Sequence, residues 1–136
     1  MRYMLLIYGS EETYARMTQE ERDAAMQAHN AFAQEALKRG ILTGGAPLQP
    51  TSTATSVRVR NGKTLITDGP FAETKEQLAG NYVLYCKDLD EAIEMAARIP
   101  DALSSSVEIR PVLEVMRAGC RGKSAVSERL QWRLCR

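Results

Sequence analysis

His29 is the sole histidine of the 136-residue chain, and imidazole is the side chain best suited to moving protons near neutrality. A carboxylate held against one ring nitrogen selects the tautomer and leaves the other nitrogen as a base. Asp68 is the acid whose position suggests that partnership. It opens the segment "DGPFAETKEQLAG" and shares a predicted hairpin face with Val57 and Ile66, so its carboxylate points inward and wants a donor. His29 and Asp68 are therefore the catalytic candidates. The competing reading is structural, because a lone histidine on an apolar stripe is commonly a hydrogen-bonded core residue. Phe71 is thrown sideways by the Gly69-Pro70 step, as an anchor, and joins Glu73, Lys75 and Gln77 as binding candidates at a pocket mouth. For the charged members of that set, the plainer alternative is a solvated surface.

Other chemistries lack their residues. There is no glycine-rich phosphate loop, GxSxG elbow or HExxH helix. The cysteines Cys86, Cys120 and Cys135 are odd in number and lack CxxC spacing, which argues against a disulfide framework and a zinc site. The sequence predicts no metal and no cofactor.

The elements that must position His29 and Asp68 are legible from local patterns. Arg2 to Tyr8 is short, apolar and closed by Gly9-Ser10, as in a buried strand. Thr18 with Glu21 forms a capping box that opens a long helix, and Gly40 stops it. Ala25, His29, Phe32, Ala33, Ala36 and Leu37 mark one stripe, which aims His29 at the sheet. "ILTGGAPLQP" holds room for one short strand. Val57 to Arg60, Asn61-Gly62 and Lys63 to Thr67 read as a hairpin on a type I′ turn. Its register pairs Val59 with Thr64 and Val57 with Ile66, leaving Arg58, Arg60 and Lys63 on the other face. Gly69-Pro70 ends that strand, and Thr74 with Gln77 predicts a helical turn over Thr74 to Ala79. Asn81 to Cys86 is a further strand. Asp88 and Glu91 cap a second helix to Arg98 that buries Leu89, Ile93, Ala96 and Ala97 before Pro100. Ser106 to Arg110 alternates as the last strand.

The order β-α-β-β-loop-β-α-β predicts an α+β fold, a ferredoxin-like subunit with both helices on one sheet face. The bare second face predicts a homodimer. With 44% hydrophobic and 26% charged residues, the chain has the balance of a folded domain. Its longest early apolar run, Met4 to Tyr8, is too short for a membrane span, so a cytoplasmic location is expected. Charge is uneven. Of 18 basic and 17 acidic residues, six and one lie from Met116 onward, leaving 12 and 16 in Met1 to Val115. That divides the chain into a 1–115 domain and a basic 116–136 extension, where Val126, Leu130 and Leu134 have helical spacing. Nucleic acid is not indicated, the basic tail being the one hint of it.

The wording of several segments carries more. "TDGPFAETKEQLAG", with "MLLIYG", "GGAPLQP", "KDLDEAIEMAARIP" and "VEIRPV", resembles the DGPF-type branch of the YCII-related protein family over about residues 1 to 115. The resemblance implies a dimeric α+β barrel of ferredoxin-like subunits. It also implies small cytoplasmic bacterial proteins, often encoded beside extracytoplasmic-function sigma factors, without a known reaction. Members of the family are suspected enzymes because many hold a histidine close to an aspartate in a pocket. The resemblance places that aspartate at the DG turn, on Asp68.

Two function classes follow. One is a dimeric barrel that binds a small molecule near the DGPF turn and performs acid-base chemistry on it with His29 and Asp68. The other is a non-enzymatic interaction or regulatory module, linked to sigma-factor-dependent transcription. A polar cleft containing the candidate residues would favour the first.

Overall fold

The computed structural model describes residues 1–115; the basic extension, with its helical spacing, lies outside the described residues. Four strands form the main sheet. They are β1 (Arg2–Gly9), β2 (Leu42–Pro47), β5 (Gln77–Tyr85) and β6 (Ser106–Pro111), in the order β2-β5-β1-β6 with every pairing antiparallel. Two other strands, β3 (Thr55–Arg60) and β4 (Lys63–Asp68), pair, among the described residues, only with each other. Three helices complete an α+β fold: α1 (Glu11–Arg16), α2 (Gln19–Lys38) and α3 (Leu89–Ala96).

Alternation along β1 buries Tyr3, Leu5 and Ile7 on one face. Leu84 of β5 joins them, and α2 covers this face with Phe32 and Ala36. From α3 come Ala92, Met95 and Ala96, followed by Ile99, and the set makes one cluster. Both long helices thus sit on the same side of the sheet. On the outside they are tied by ion pairs from Arg39 and Arg98 to Glu35 and Glu94.

The caps behave as local chemistry dictates. Thr18 Oγ1 accepts from the Glu21 N–H while the Glu21 carboxylate accepts from the Thr18 N–H. Asp88 accepts from the Glu91 N–H at the start of α3. Asn61 and Gly62 both adopt positive φ, 51° and 71°, and the hairpin register pairs Val59 with Thr64 and Val57 with Ile66.

Four local expectations are corrected. The hairpin does not extend the main sheet; Leu42 to Pro47 takes the edge beside β5, and Val57, Val59 and Ile66 stay exposed. No helical turn forms over Thr74 to Ala79. Instead Thr74 Oγ1 donates to the Glu76 carbonyl, the Gln77 amide donates to the Thr74 carbonyl, and β5 begins at Gln77 opposite Gly9. Ser10 does not merely close β1; it caps the short helix α1 by accepting from the Thr13 N–H. Finally, α3 turns only part of the expected stripe inward: Ala96 is buried as expected, Leu89, Ile93 and Ala97 are exposed, and Ala92, Met95 and Ile99 take their place in the core.

Candidate functional site

The capping box fixes where α2 begins, and from there His29 falls on the turn before Phe32, facing β5. Tyr82 is the residue it meets. Tyr82 leans on Phe32, with ring centroids 4.8 Å apart and planes tilted by 54°, an arrangement that aromatic quadrupoles favour. Its hydroxyl lies 3.1 Å from His29 Nδ1.

The other ring nitrogen has a carboxylate. His29 Nε2 is 2.8 Å from Asp101 Oδ2, and both side chains are about three-quarters buried. Oδ2 itself is shut off from solvent and has no hydrogen bond of ordinary geometry, its contact with the imidazole nitrogen at 2.8 Å being an ion-pair contact. Asp101 belongs to a 3-10 turn, Pro100–Leu103, which starts where Pro100 ends the α3 segment. The proline suits a first helical position because it has no N–H to satisfy there, and the acid follows it immediately.

A carboxylate can only accept, so the proton facing Asp101 is on Nε2. In the neutral ring Nδ1 is then the acceptor and the Tyr82 hydroxyl donates to it. The His29 N–H that faces it holds the Asp101 carboxyl below its usual range, against the opposing effect of burial. Tyr82 moves the other way. Burial, and secondarily the charge of Asp101, raise its hydroxyl above the usual phenol value, so it keeps its proton.

This chain of contacts forms one wall of a cavity of about 230 Å³. Met26 and Asn30 flank His29 on α2. Gly45, Ala46 and Pro47 of β2 form the opposite rim, and Ala79 to Asn81 of β5 with Ile7 of β1 close the remainder. The strands come unusually close here. A methyl group on Gly45, whose φ is +150°, would lie 2.5 Å from the Asn81 carbonyl, and one on Gly80 would lie 2.8 Å from the Ala46 carbonyl. The Asn81 side chain accepts from the Ala46 N–H across the same junction.

The expected site residues separate. His29 lies in the cavity wall, facing the sheet as its stripe requires. Asp68 is exposed at the end of β4, opposite Thr55, and the structure does not bring it to His29. The physical reason is that the hairpin stands apart from the sheet on which α2 packs. The DG turn closes the base of that hairpin instead: the Gly69 N–H donates to the Ala54 carbonyl, and Ser56 Oγ donates to the Gly69 carbonyl. Phe71 is 81% exposed, and Glu73 and Lys75 are exposed with it. Gln77 is half-buried and its side-chain carbonyl accepts from the Glu11 N–H, anchoring α1 to the start of β5. None of these four lines the cavity.

Asp101 and Tyr82 are the residues that sequence reasoning missed. Tyr82 had a signal, since it alternates with Leu84 on a strand whose inward face was identifiable. Asp101 had only its place after Pro100. Among the described residues no group of three or more His, Cys, Asp and Glu side chains is arranged to hold a metal, and no helix is long and apolar enough to cross a membrane.

Comparison with known proteins meets the same span. The chain is 39% identical over 114 residues to an uncharacterised protein of Rhizobium meliloti (strain 1021), covering 82% of this chain and 92% of that one. The profile of the YCII-related domain matches residues 1–116, the body that carries the sheet, the helices and the His29 cavity. The chain therefore belongs to the YCII-related family.

Proposed function

We propose that this protein binds a small molecule in the cavity beside His29 and performs acid-base chemistry on it. The observation that carries this reading is the His29 ring, held by Asp101 at one nitrogen and by Tyr82 at the other, in the wall of a largely apolar cleft. Two titratable groups displaced in opposite directions, Asp101 down and Tyr82 up, mark the sort of place where proton transfer is arranged. Asp101 takes the role that the resemblance would give to Asp68.

The working unit is proposed to be a homodimer forming an α+β barrel of ferredoxin-like subunits. The strand order β2-β5-β1-β6 with both long helices on one face supports the subunit. The opposite face presents Met4, Leu6 and Tyr8 of β1 beside Val83 and Tyr85 of β5, an apolar strip that a second copy would bury.

The test uses the single histidine as its reporter. Fragments that are uncharged carbonyl or phenolic compounds are titrated into isotope-labelled protein, and the His29 ring signals are followed. Saturable shifts, repeated at Ala46 and Tyr82, are expected. If no fragment at millimolar concentration moves those signals, the pocket reading fails.

A second reading has its own observation. The β3–β4 hairpin exposes Val57, Val59, Ile66 and Leu65 and carries Arg58, Arg60 and Lys63. An isolated two-stranded hairpin is only marginally stable in water, which favours an interaction module that uses this ribbon. Loss of self-association or partner binding in a hairpin-deleted protein with intact fragment binding would support it.

A further inference from the structure

The His29 ring has no nitrogen left for a ligand. Nε2 faces Asp101 at 2.8 Å and Nδ1 faces the Tyr82 hydroxyl at 3.1 Å. The hydroxyl, by contrast, has one donor and two acceptor positions and spends one of these on His29. Tyr82 also lines the cavity. We infer that Tyr82 is the catalytic residue that meets the ligand, that His29 and Asp101 act through it as positioning residues, and that the ligand is a small uncharged molecule presenting a carbonyl, enol or phenol oxygen. This inference rests on the pocket reading above and deepens it.

The ligand class follows from the lining. Among the described residues no lysine or arginine lines the cavity, so a carboxylate or phosphate would meet no counter-charge from them. The two charges that His29 and Asp101 can carry are opposite and cancel each other. Ile7, Met26, Ala46, Pro47 and Ala79 supply apolar walls, and Asn30 is an amide at the rim. At about 230 Å³ the space is smaller than the usual range for drug-sized ligands.

The proton inventory closes. When His29 is protonated, Nδ1–H donates to the Tyr82 oxygen, and the Tyr82 O–H turns to the ligand oxygen. The Tyr82 O–H bond breaks as the ligand O–H bond forms, and the Nδ1 proton moves to the Tyr82 oxygen. The products are a protonated ligand oxygen, an intact tyrosine and a neutral imidazole whose Nε2–H still faces Asp101. Run backwards, the same relay withdraws a proton from an enol or phenol. Charge never rests on a bare phenolate, which suits a hydroxyl whose ionisation is disfavoured by burial.

The test is read on the full-length protein with 4-nitrophenol as probe. Nitrogen-15 spectra of the neutral His29 ring are expected to show Nε2 protonated and Nδ1 bare. Tyr82→Phe, which keeps the ring against Phe32, should move the Nδ1 signal and leave Nε2 in place. Wild type should bind 4-nitrophenol as the neutral phenol, and Tyr82→Phe should bind it roughly 10- to 100-fold more weakly. A ring protonated at Nδ1, or equal affinity in wild type and Tyr82→Phe, overturns the inference and leaves the pocket reading standing. Failure of wild type to bind the probe also overturns it, and the pocket reading falls with it only if the fragment titration is empty as well. The ring spectra of wild type decide the matter even if Tyr82→Phe does not fold, because protonation at Nδ1 would overturn the inference.

Discussion

His29 Nε2 stands 2.8 Å from Asp101 Oδ2, joining the middle of α2 to a 3-10 turn that begins only after α3 has ended. The contact ties α2 to the turn that follows α3 at the rim of the cavity, so its removal should be felt in stability as well as in binding.

The pH dependence has a definite sign. Asp101 is held below its ordinary carboxylate value, so its contribution is present above the unfolded value, near 3.8, and is lost as pH falls through the lower folded value. Urea unfolding of wild type and Asp101→Asn should therefore differ most at neutral pH, by up to about 1 kcal/mol after solvent screening. The curves should converge on acidification below that range. A difference that grows with falling pH would contradict the assignment.

Gly45 and Gly80 let β2 and β5 approach where the cavity needs its far wall. Gly45→Ala would drive its methyl to 2.5 Å from the Asn81 carbonyl at a φ of +150°, so the strand must shift. The expected cost is roughly 1–3 kcal/mol in chemical denaturation. Fragment shifts at Ala46 should weaken in parallel. Gly69→Ala is a useful contrast, because its added methyl meets nothing within 4 Å although its φ of +98° is strained. It should destabilise the hairpin base without changing the shifts at Ala46.

Leu84 is fully buried between β1 and the helices. Leu84→Ala should destabilise the fold by about 2–5 kcal/mol, according to how far the surrounding side chains close the void. Calorimetry of the thermal transition measures this directly. A loss under about 1 kcal/mol would mean that the core is organised differently.

Leu6 points to the opposite face, beside Glu108 of β6. Leu6→Asp should convert the expected dimer to a monomer in light scattering while leaving the far-UV spectrum unchanged. A wild-type protein that is already monomeric at micromolar concentration would remove the barrel.

What the sequence determined by itself is whatever neighbouring residues settle between themselves. The Thr18–Glu21 box, the Asp88 cap and the Asn61-Gly62 turn each depend on side chains within a few positions of the backbone groups they satisfy. The hairpin register followed because the turn leaves one alignment, and the inward face of β1 and, apart from the exposed Leu37, that of α2 followed from period two and period 3.6. His29 was recognisable on that basis. Four features needed the assembled molecule. On α3 Ala96 faces inward as its spacing predicts, but Leu89 with Ile93 and Ala92 with Met95 compete for the rest of that face, and packing on Leu5 and Leu84 decided between them. The hairpin stays off the main sheet because β2 occupies the edge of β5, a competition between segments distant in sequence. The partner of His29 is Asp101 rather than Asp68 for the same reason: the carboxylate that reaches an imidazole is the one whose turn is carried to it by the packing of α3, and no local pattern encodes that distance. Tyr82 could be assigned to a strand, but its place between Phe32 and His29 exists only once α2 lies across β5.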